Sequence, residues 1–176
     1  MIPMDVDINP PMFLSSDVCV IMAAQRYDIA PDLLLAVRSV ERGKPGQSVL
    51  NTNGTRDYNE PGLNTHTVRK LARVGWDEQR LLNDSCYAMH ASAHWMRIKL
   101  LDAKSNESLL ARAARYNSAT PVHNIRYQGM LRGPLRDWSC QLHKRWKYPL
   151  DTLFAVASNV ITENELKTCQ PKIRQF

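Results

Sequence analysis

Residues 30–41 read APDLLLAVRSVE and predict an apolar helix that ends in an acid. Pro31 suits the first turn of a helix, where its missing N–H is not needed. Gly43 ends the helix soon after its last apolar position. The apolar face consists of Leu33, Leu34, Ala36, Val37 and Val40. Glu41 therefore lies in the last turn of a mostly apolar helix, where partial desolvation disfavours the carboxylate and raises its pKa.

The segment that follows, residues 43–64, is rich in glycine, proline and asparagine and contains the polar run NTNGTRDY at 51–58. It shows no sustained alternating pattern, so we predict a long irregular loop, a kind of segment that is usually functional or disordered. Its amide and hydroxyl groups suit hydrogen bonding to sugar hydroxyls, with Asn53 as a candidate ligand. A glutamate of raised pKa beside such a loop is typical of a general acid that protonates a glycosidic oxygen. Taken alone, Glu41 has a simpler interpretation, a helix-terminal residue paired with a neighbouring arginine.

The rest of the chain predicts a mainly α-helical single domain. Helical periodicity covers roughly 65–73, 77–82, 84–102 and 106–116. Gly133-Pro134 is expected to divide the stretch from about 124 to 147 into two helices. Three parts follow from this pattern: an extended N-terminal arm at 1–14, the helical domain at 15–147 and a C-terminal tail at 148–176.

Composition limits the function classes. The 176 residues carry a formal net charge of +6, which favours polyanionic partners such as nucleic acid, anionic lipid or the bacterial wall. No run of about 18 apolar residues is present, so no membrane span is expected. The first basic residue is Arg26, so no secretory leader is visible in this chain, and we expect either another export route or a leader absent from it. Four cysteines without a CxxC motif argue against a cysteine-pair zinc site and permit either two disulfides or four free thiols.

Four segments in a specific order resemble the lytic transglycosylases of the soluble-lytic-transglycosylase type. They are APDLLLAVRSVE, the loop NTNGTRDY, NDSCYAMHASAHW at 83–95 and ARYN at 114–117, within residues 17–120. The resemblance extends in particular to the small enzymes that accompany type III and type IV secretion and conjugation systems. It implies a lysozyme-like fold and no cofactor or metal. It also implies cleavage of peptidoglycan glycan strands between N-acetylmuramic acid and N-acetylglucosamine, with a 1,6-anhydro product, in the periplasm or cell envelope beside such an apparatus.

The resemblance also assigns site residues. Glu41 matches the catalytic glutamate of these enzymes, and Asp57 matches an aspartate of the secretion-associated members that would serve as a second carboxylate. Tyr116 and Asn117 match a Tyr-Asn pair whose tyrosine hydroxyl lies near the glutamate. Asn64 matches the asparagine that closes a Gly-x-Met-Gln-Ile-Asn motif. These residues and Asn53 are the expected substrate ligands.

Cys19 and Cys86 fall where the secretion-associated members carry two cysteines, often bonded, and Cys140 and Cys169 are a second candidate pair. Two departures from the family pattern keep alternatives open. Arg42 replaces a serine after the glutamate and, as its neighbour, is a candidate to hold Glu41 ionised. Residues 59–62 replace the Gly-x-Met-Gln segment and add an acid that is either a solvated loop charge or a second active-site carboxylate. A degenerate wall-binding subunit and a hydrolytic lysozyme that uses Asp57 are therefore the alternatives.

Two further patterns belong to other classes of protein. Cys86, His90 and His94 recur every four residues and share a helix face, as zinc ligands can, although a disulfide is the better use of the cysteine. Residues 65–82 predict two short helices around Gly75 next to basic residues, a generic helix-turn-helix pattern. We expect no metal and no nucleic-acid partner.

Overall fold

The computed structural model describes residues 15–102 and 106–172, so the predicted arm at 1–14 lies outside the described residues. Within these ranges the chain is mainly α-helical, as predicted. The elements are α1 Ser15–Arg26, α2 Pro31–Glu41, β1 Ser48–Leu50, β2 Arg56–Tyr58, β3 Leu63–Asn64, α3 Thr65–Arg73, α4 Glu78–Asn83, α5 Ser85–Leu100, α6 Leu109–Ala114, α7 Pro121–Trp146, a 3-10 turn Leu150–Thr152, α8 Phe154–Ala157 and α9 Glu163–Thr168.

Helix α2 is the centre of the core and has the predicted bounds. Pro31 occupies its first turn after Ala30 in extended conformation. It ends at Arg42, whose φ of 54° is left-handed and whose N–H donates to the carbonyl of Arg38. The residues from Leu33 to Val37 are fully buried against α1, α7 and α8. The last turn of α2 leaves this core, and Glu41 emerges there.

Helix α7 packs most extensively against α2, and it is a single helix of 26 residues. The prediction of two helices divided at Gly133-Pro134 was wrong. Buried side chains continue on both sides of the proline, with Leu131 before it and Leu135 and Trp138 after it. Proline inside a helix costs about 3 kcal/mol, and burial of this continuous apolar face offsets that cost.

Residues 48–64 form a small antiparallel sheet of order β1-β2-β3 in place of the irregular loop that we predicted. The strands are two or three residues long, too short for an alternating pattern to be recognised. Their register pairs Val49 with Asp57 and Asp57 with Asn64. Directly opposed residues share a face of a sheet, so the carboxylate of Asp57 and the amide of Asn64 lie side by side.

The segment predicted as a C-terminal tail is packed against the helical core over its described part, 148–172. Its buried apolar residues are Leu153, Phe154, Ala155, Val160, Ile161 and Leu166. Asp32, in the first turn of α2, accepts hydrogen bonds from the backbone N–H groups of Phe154 (3.0 Å) and Ala155 (2.9 Å) at the start of α8. Burial raises the pKa of Asp32 to about 6, although these hydrogen bonds act in the opposite direction.

Two disulfides tie the helices together. Cys19 of α1 is bonded to Cys86 of α5, the pair expected from the resemblance, and Cys140 of α7 is bonded to Cys169 just after α9. Across the ranges 15–102 and 106–172, no helix combines the length and the apolar character that crossing a bilayer requires.

Candidate active site

The carboxyl group of Glu41 is largely desolvated, although the residue as a whole is half-buried. Desolvation raises its pKa to about 7, and the negative charge of Asp57 acts in the same direction. The hydroxyl of Tyr127, on α7, donates a hydrogen bond to Oε1 of Glu41 and partly offsets this rise. Glu41 therefore exchanges its proton near neutral pH, as general acid–base catalysis requires.

Two glycines allow the loop to approach Glu41 closely. A Cβ on Gly62, which has a φ of +60°, would lie 2.7 Å from Oε2 of Glu41. A Cβ on Gly43 would lie 1.9 Å from the carbonyl oxygen of Asn59. Any other residue at these positions would displace the carboxyl group or the loop. The segment 59–62, which departs from the family pattern, is thus fitted closely around the glutamate.

Tyr116 is hydrogen-bonded to the backbone of this loop. Its hydroxyl donates to the backbone carbonyl of Pro61 at 2.7 Å and lies 2.9 Å from the hydroxyl of Ser92, on α5. Burial is the main cause that raises the pKa of Tyr116, and the charge of Glu41 contributes. Tyr116 is thus electrostatically coupled to the glutamate, but the hydroxyl that binds Glu41 belongs to Tyr127.

Asp57 is held by two asparagine side chains. Asn51 Nδ2 donates to one carboxylate oxygen at 3.0 Å, and Asn64 Nδ2 donates to the other at 2.8 Å. The oxygen of the Asn64 side chain also caps α3 by accepting from the N–H of His66. Asn53 accepts from the backbone N–H and the hydroxyl of Thr55. The polar loop residues therefore form a hydrogen-bonded network that fixes the orientation of Asp57.

These groups line an open polar cleft with two compartments that share Glu41 in their lining. The sheet compartment lies along the strands and α3 and reaches Trp95. The α7 compartment lies along α7. Four residues border both compartments: Glu41, Asn51, Asp57 and Asn117. The predicted residues Asn53, Asn64 and Tyr116 line the sheet compartment only. The fold thus brings all six predicted catalytic and substrate-binding residues to one cleft.

Two sequence-based concerns about Glu41 have structural answers. Arg42 is exposed, and no ion pair between it and Glu41 occurs in the described part of the chain. The pKa of Glu41 is raised, and Arg42 is not among the groups that influence it, so the structure gives no support to Arg42 as the residue that holds the glutamate ionised. Glu60 lines neither compartment of the cleft.

The histidines of the possible zinc face are used differently. Cys86 is bonded to Cys19, and Nδ1 of His94 accepts a hydrogen bond from the indole N–H of Trp76 at 2.9 Å. His94 also stacks on the ring of Tyr27. Among the described residues, no group of three or more histidine, cysteine, aspartate or glutamate side chains is placed to hold a metal ion.

Two site residues escaped the sequence analysis. Tyr127 lies 86 positions after Glu41, and no local pattern links the two. A signal was nevertheless present, since Tyr127 shares its helix face with Asn124 and Leu131, both buried. Asn51 lies in the polar run, where the sequence does not distinguish it from its polar neighbours, although it holds Asp57 and borders both compartments.

Comparison with known proteins shows partial similarity to two curated proteins. The chain is 32% identical to Protein IpgF of Shigella flexneri over 72 residues. This aligned segment is 40% of this chain and 47% of that protein. It is 29% identical to Invasion protein IagB of Salmonella typhimurium over 76 residues. This aligned segment is 43% of this chain and 48% of that protein. The chain thus spans about half the length of the curated relatives it matches. No family model matches it. No solved structure matches it either.

Proposed function

We propose that this protein is a peptidoglycan lytic transglycosylase with a lysozyme-like domain, and that Glu41 is its single acid–base catalyst. One observation carries the proposal: a desolvated carboxyl group with a pKa of about 7 borders both compartments of an open polar cleft. A glycan strand bound in the cleft would pass Glu41, which both compartments share. The scissile oxygen would then face its carboxyl group.

Glu41 first acts as the acid. Tyr127 engages Oε1, so Oε2, beside Gly62, is the oxygen left to carry the proton. That proton passes to the oxygen between the muramoyl and glucosaminyl residues, and the C1–O bond breaks. The acetamido oxygen of the muramoyl residue bonds to C1 and stabilises the developing positive charge.

Glu41 then acts as the base. The carboxylate takes the proton of the muramoyl C6 hydroxyl, O6 bonds to C1, and the bond from the acetamido oxygen breaks. The product is a 1,6-anhydro muramoyl end, and no water is consumed. A carboxyl group whose pKa lies near the working pH serves both steps, because neither protonation state is strongly disfavoured.

A hydrolytic lysozyme reaction is the second candidate, and the position of Asp57 favours it. Asp57 borders both compartments with Glu41, and its charge acts on the pKa of that residue. In this reaction Asp57 would position a water molecule or attack C1 itself. A subunit that binds the wall without cleaving it would use the same cleft and would show no turnover.

We infer a location and a setting from two further observations. Two disulfides fit an oxidising compartment, which supports the periplasm or cell envelope. One relative is named an invasion protein. This name and the resemblance to secretion-associated enzymes support a role in opening the wall locally for a secretion or conjugation apparatus.

Turnover of purified peptidoglycan by Glu41→Gln and Asp57→Asn tests the proposal. We expect Glu41→Gln to lower the rate by about 10²- to 10⁴-fold, since the amide cannot deliver a proton. Asp57→Asn should cost much less. Glu60→Gln is the matched control, because Glu60 lines neither compartment and should leave the rate unchanged.

Mass spectrometry of the released muropeptides separates the candidate reactions. Anhydro products should be about 18 Da lighter than hydrolysis products and should resist borohydride reduction. Reducible products, together with equal losses of turnover in the Glu41 and Asp57 variants, would show that the reaction is the hydrolysis of a lysozyme and not that of a transglycosylase. No turnover by the wild-type protein, together with measurable binding to peptidoglycan, would indicate the non-cleaving subunit.

A further inference from the structure

The α7 wall of the cleft carries an arginine and a histidine whose side chains have no acidic partner among the described residues. His123, Arg126 and Met130 recur at helical spacing and line the α7 compartment next to Tyr127. Within residues 15–102 and 106–172, the side chains of His123 and Arg126 make no hydrogen bond and no ion pair. By contrast, Arg136, further along α7, pairs with Glu165.

The positive charge of Arg126 does not influence the proposed acid, Glu41. The influences on the pKa of Glu41 are desolvation, Tyr127 and Asp57, and Arg126 is not among them. Asn51 and Asp57 line the same compartment, and the carboxylate of Asp57 accepts hydrogen bonds from the side-chain amides of Asn51 and Asn64. The Arg126 guanidinium is therefore an available donor facing the space in which a substrate would lie.

A glycan backbone has no anionic group with which a guanidinium could form an ion pair. Its hydroxyl, acetamido and ether oxygens are uncharged, whereas a guanidinium fork is suited to the two oxygens of a carboxylate. In peptidoglycan the carboxylates are carried by the peptide branches on the muramoyl residues. Met130 and Val40 add apolar surface to the same compartment, which suits the methyl groups of short alanine-containing peptides.

We propose that the α7 compartment binds the peptide stem of the muramoyl residue, with Arg126 donating hydrogen bonds to one of its carboxylates and His123 as a second donor. The inference rests on the proposed function and deepens it: the substrate is stem-bearing glycan, and Arg126 sets this preference. Arg126 acts here as a specificity residue and takes no part in proton transfer.

Binding is measured in the Glu41→Gln background, so that no ligand is consumed. Three ligands that differ in their carboxylates show which carboxylate Arg126 binds. A stem-bearing muropeptide oligomer carries peptide carboxylates, an amidase-stripped oligomer keeps only the lactyl carboxylate, and chitopentaose has neither. Calorimetry gives the Kd of each ligand for the background protein and for versions that add Arg126→Gln, Arg126→Lys or Arg132→Gln.

We expect Arg126→Gln to weaken binding of the stem-bearing oligomer about tenfold or more, the usual effect of losing a charge-assisted hydrogen bond. Chitopentaose should be unaffected, and Arg126→Lys should retain part of the affinity. Arg132→Gln is the matched control, since Arg132 is exposed on the same helix and lines neither compartment. Arg126 is itself exposed, so its replacement leaves the core intact.

The outcomes separate this inference from the proposed function. Equal affinity of the Arg126 variants for the stem-bearing oligomer, with glycan binding intact, overturns the stem site and leaves the transglycosylase standing. A loss that is as large for the stripped oligomer assigns Arg126 to the lactyl carboxylate and overturns the peptide assignment. If the background protein binds none of the three ligands, both proposals fail.

Discussion

Replacing Glu41 by glutamine should make the protein's stability less dependent on pH. The protonated glutamate and the glutamine have nearly the same shape, and Tyr127 can donate to either side-chain oxygen. The two proteins should therefore be similarly stable in acid, where the glutamate is neutral. They should diverge as the pH rises, because only the glutamate acquires a charge in its desolvated position.

The magnitude follows from the shift in pKa. The ordinary value for glutamate is 4.5, and the folded protein raises the pKa of Glu41 to about 7. Because the folded state binds this proton more tightly than the unfolded chain, the stabilisation is fully present below pH 4.5 and is lost as the pH rises to about 7. At about 1.4 kcal/mol per pKa unit, the loss is about 3 kcal/mol.

Denaturant unfolding of the wild type and Glu41→Gln between pH 4 and pH 8 measures this difference. The stability advantage of the variant should grow by about 3 kcal/mol across that range. The titration of Asp32 is common to both proteins and cancels in the difference. A difference that stays constant from pH 4 to pH 8 would refute the assignment of a raised pKa.

Three other changes have defined outcomes. Tyr127→Phe should move the alkaline limit of the pH–rate profile upward, because its hydrogen bond lowers the pKa of Glu41; an unmoved limit would contradict this role. Gly62→Ala should abolish turnover by displacing the carboxyl group, whereas Gly54→Ala, with a similar φ but open space around it, should cost only stability in thermal melts. Reduction of the disulfides should destabilise the fold by about 4 kcal/mol for the bond that closes 67 residues and slightly less for the one that closes 29, and an unchanged melting temperature would contradict this.

The sequence was sufficient where local chemistry determines structure. Pro31 marks the start of α2, the left-handed turn at Arg42 ends it one residue before Gly43, and the apolar face of the helix places Glu41 at the edge of the core. The desolvation that follows from this position raises its pKa in the predicted direction. The resemblance also located Asp57, which shares the cleft.

Long-range packing determines what the sequence could not predict. Pro134 is a strong local signal for a helix end, but a continuous buried face overrides it. The contact between Tyr127 and Glu41 depends on how α7 lies on α2, which no local pattern encodes. Asn64 lines the cleft, but its two further contacts, the amide on Asp57 and the oxygen that caps α3, could not be predicted from the sequence.

The buried carboxylate of Asp32 has a consequence for the order of events during synthesis. It lies at the start of the catalytic helix, but the two backbone N–H groups that satisfy it come more than 120 residues later. A nascent chain emerging from the ribosome would carry the nucleus of its active site long before this acid could be accommodated, since chains emerge and fold from the N-terminus. A protein stalled or cut before Phe154 should thus be held in an immature state, and the activity proposed for Glu41 would appear only after the late segment has docked.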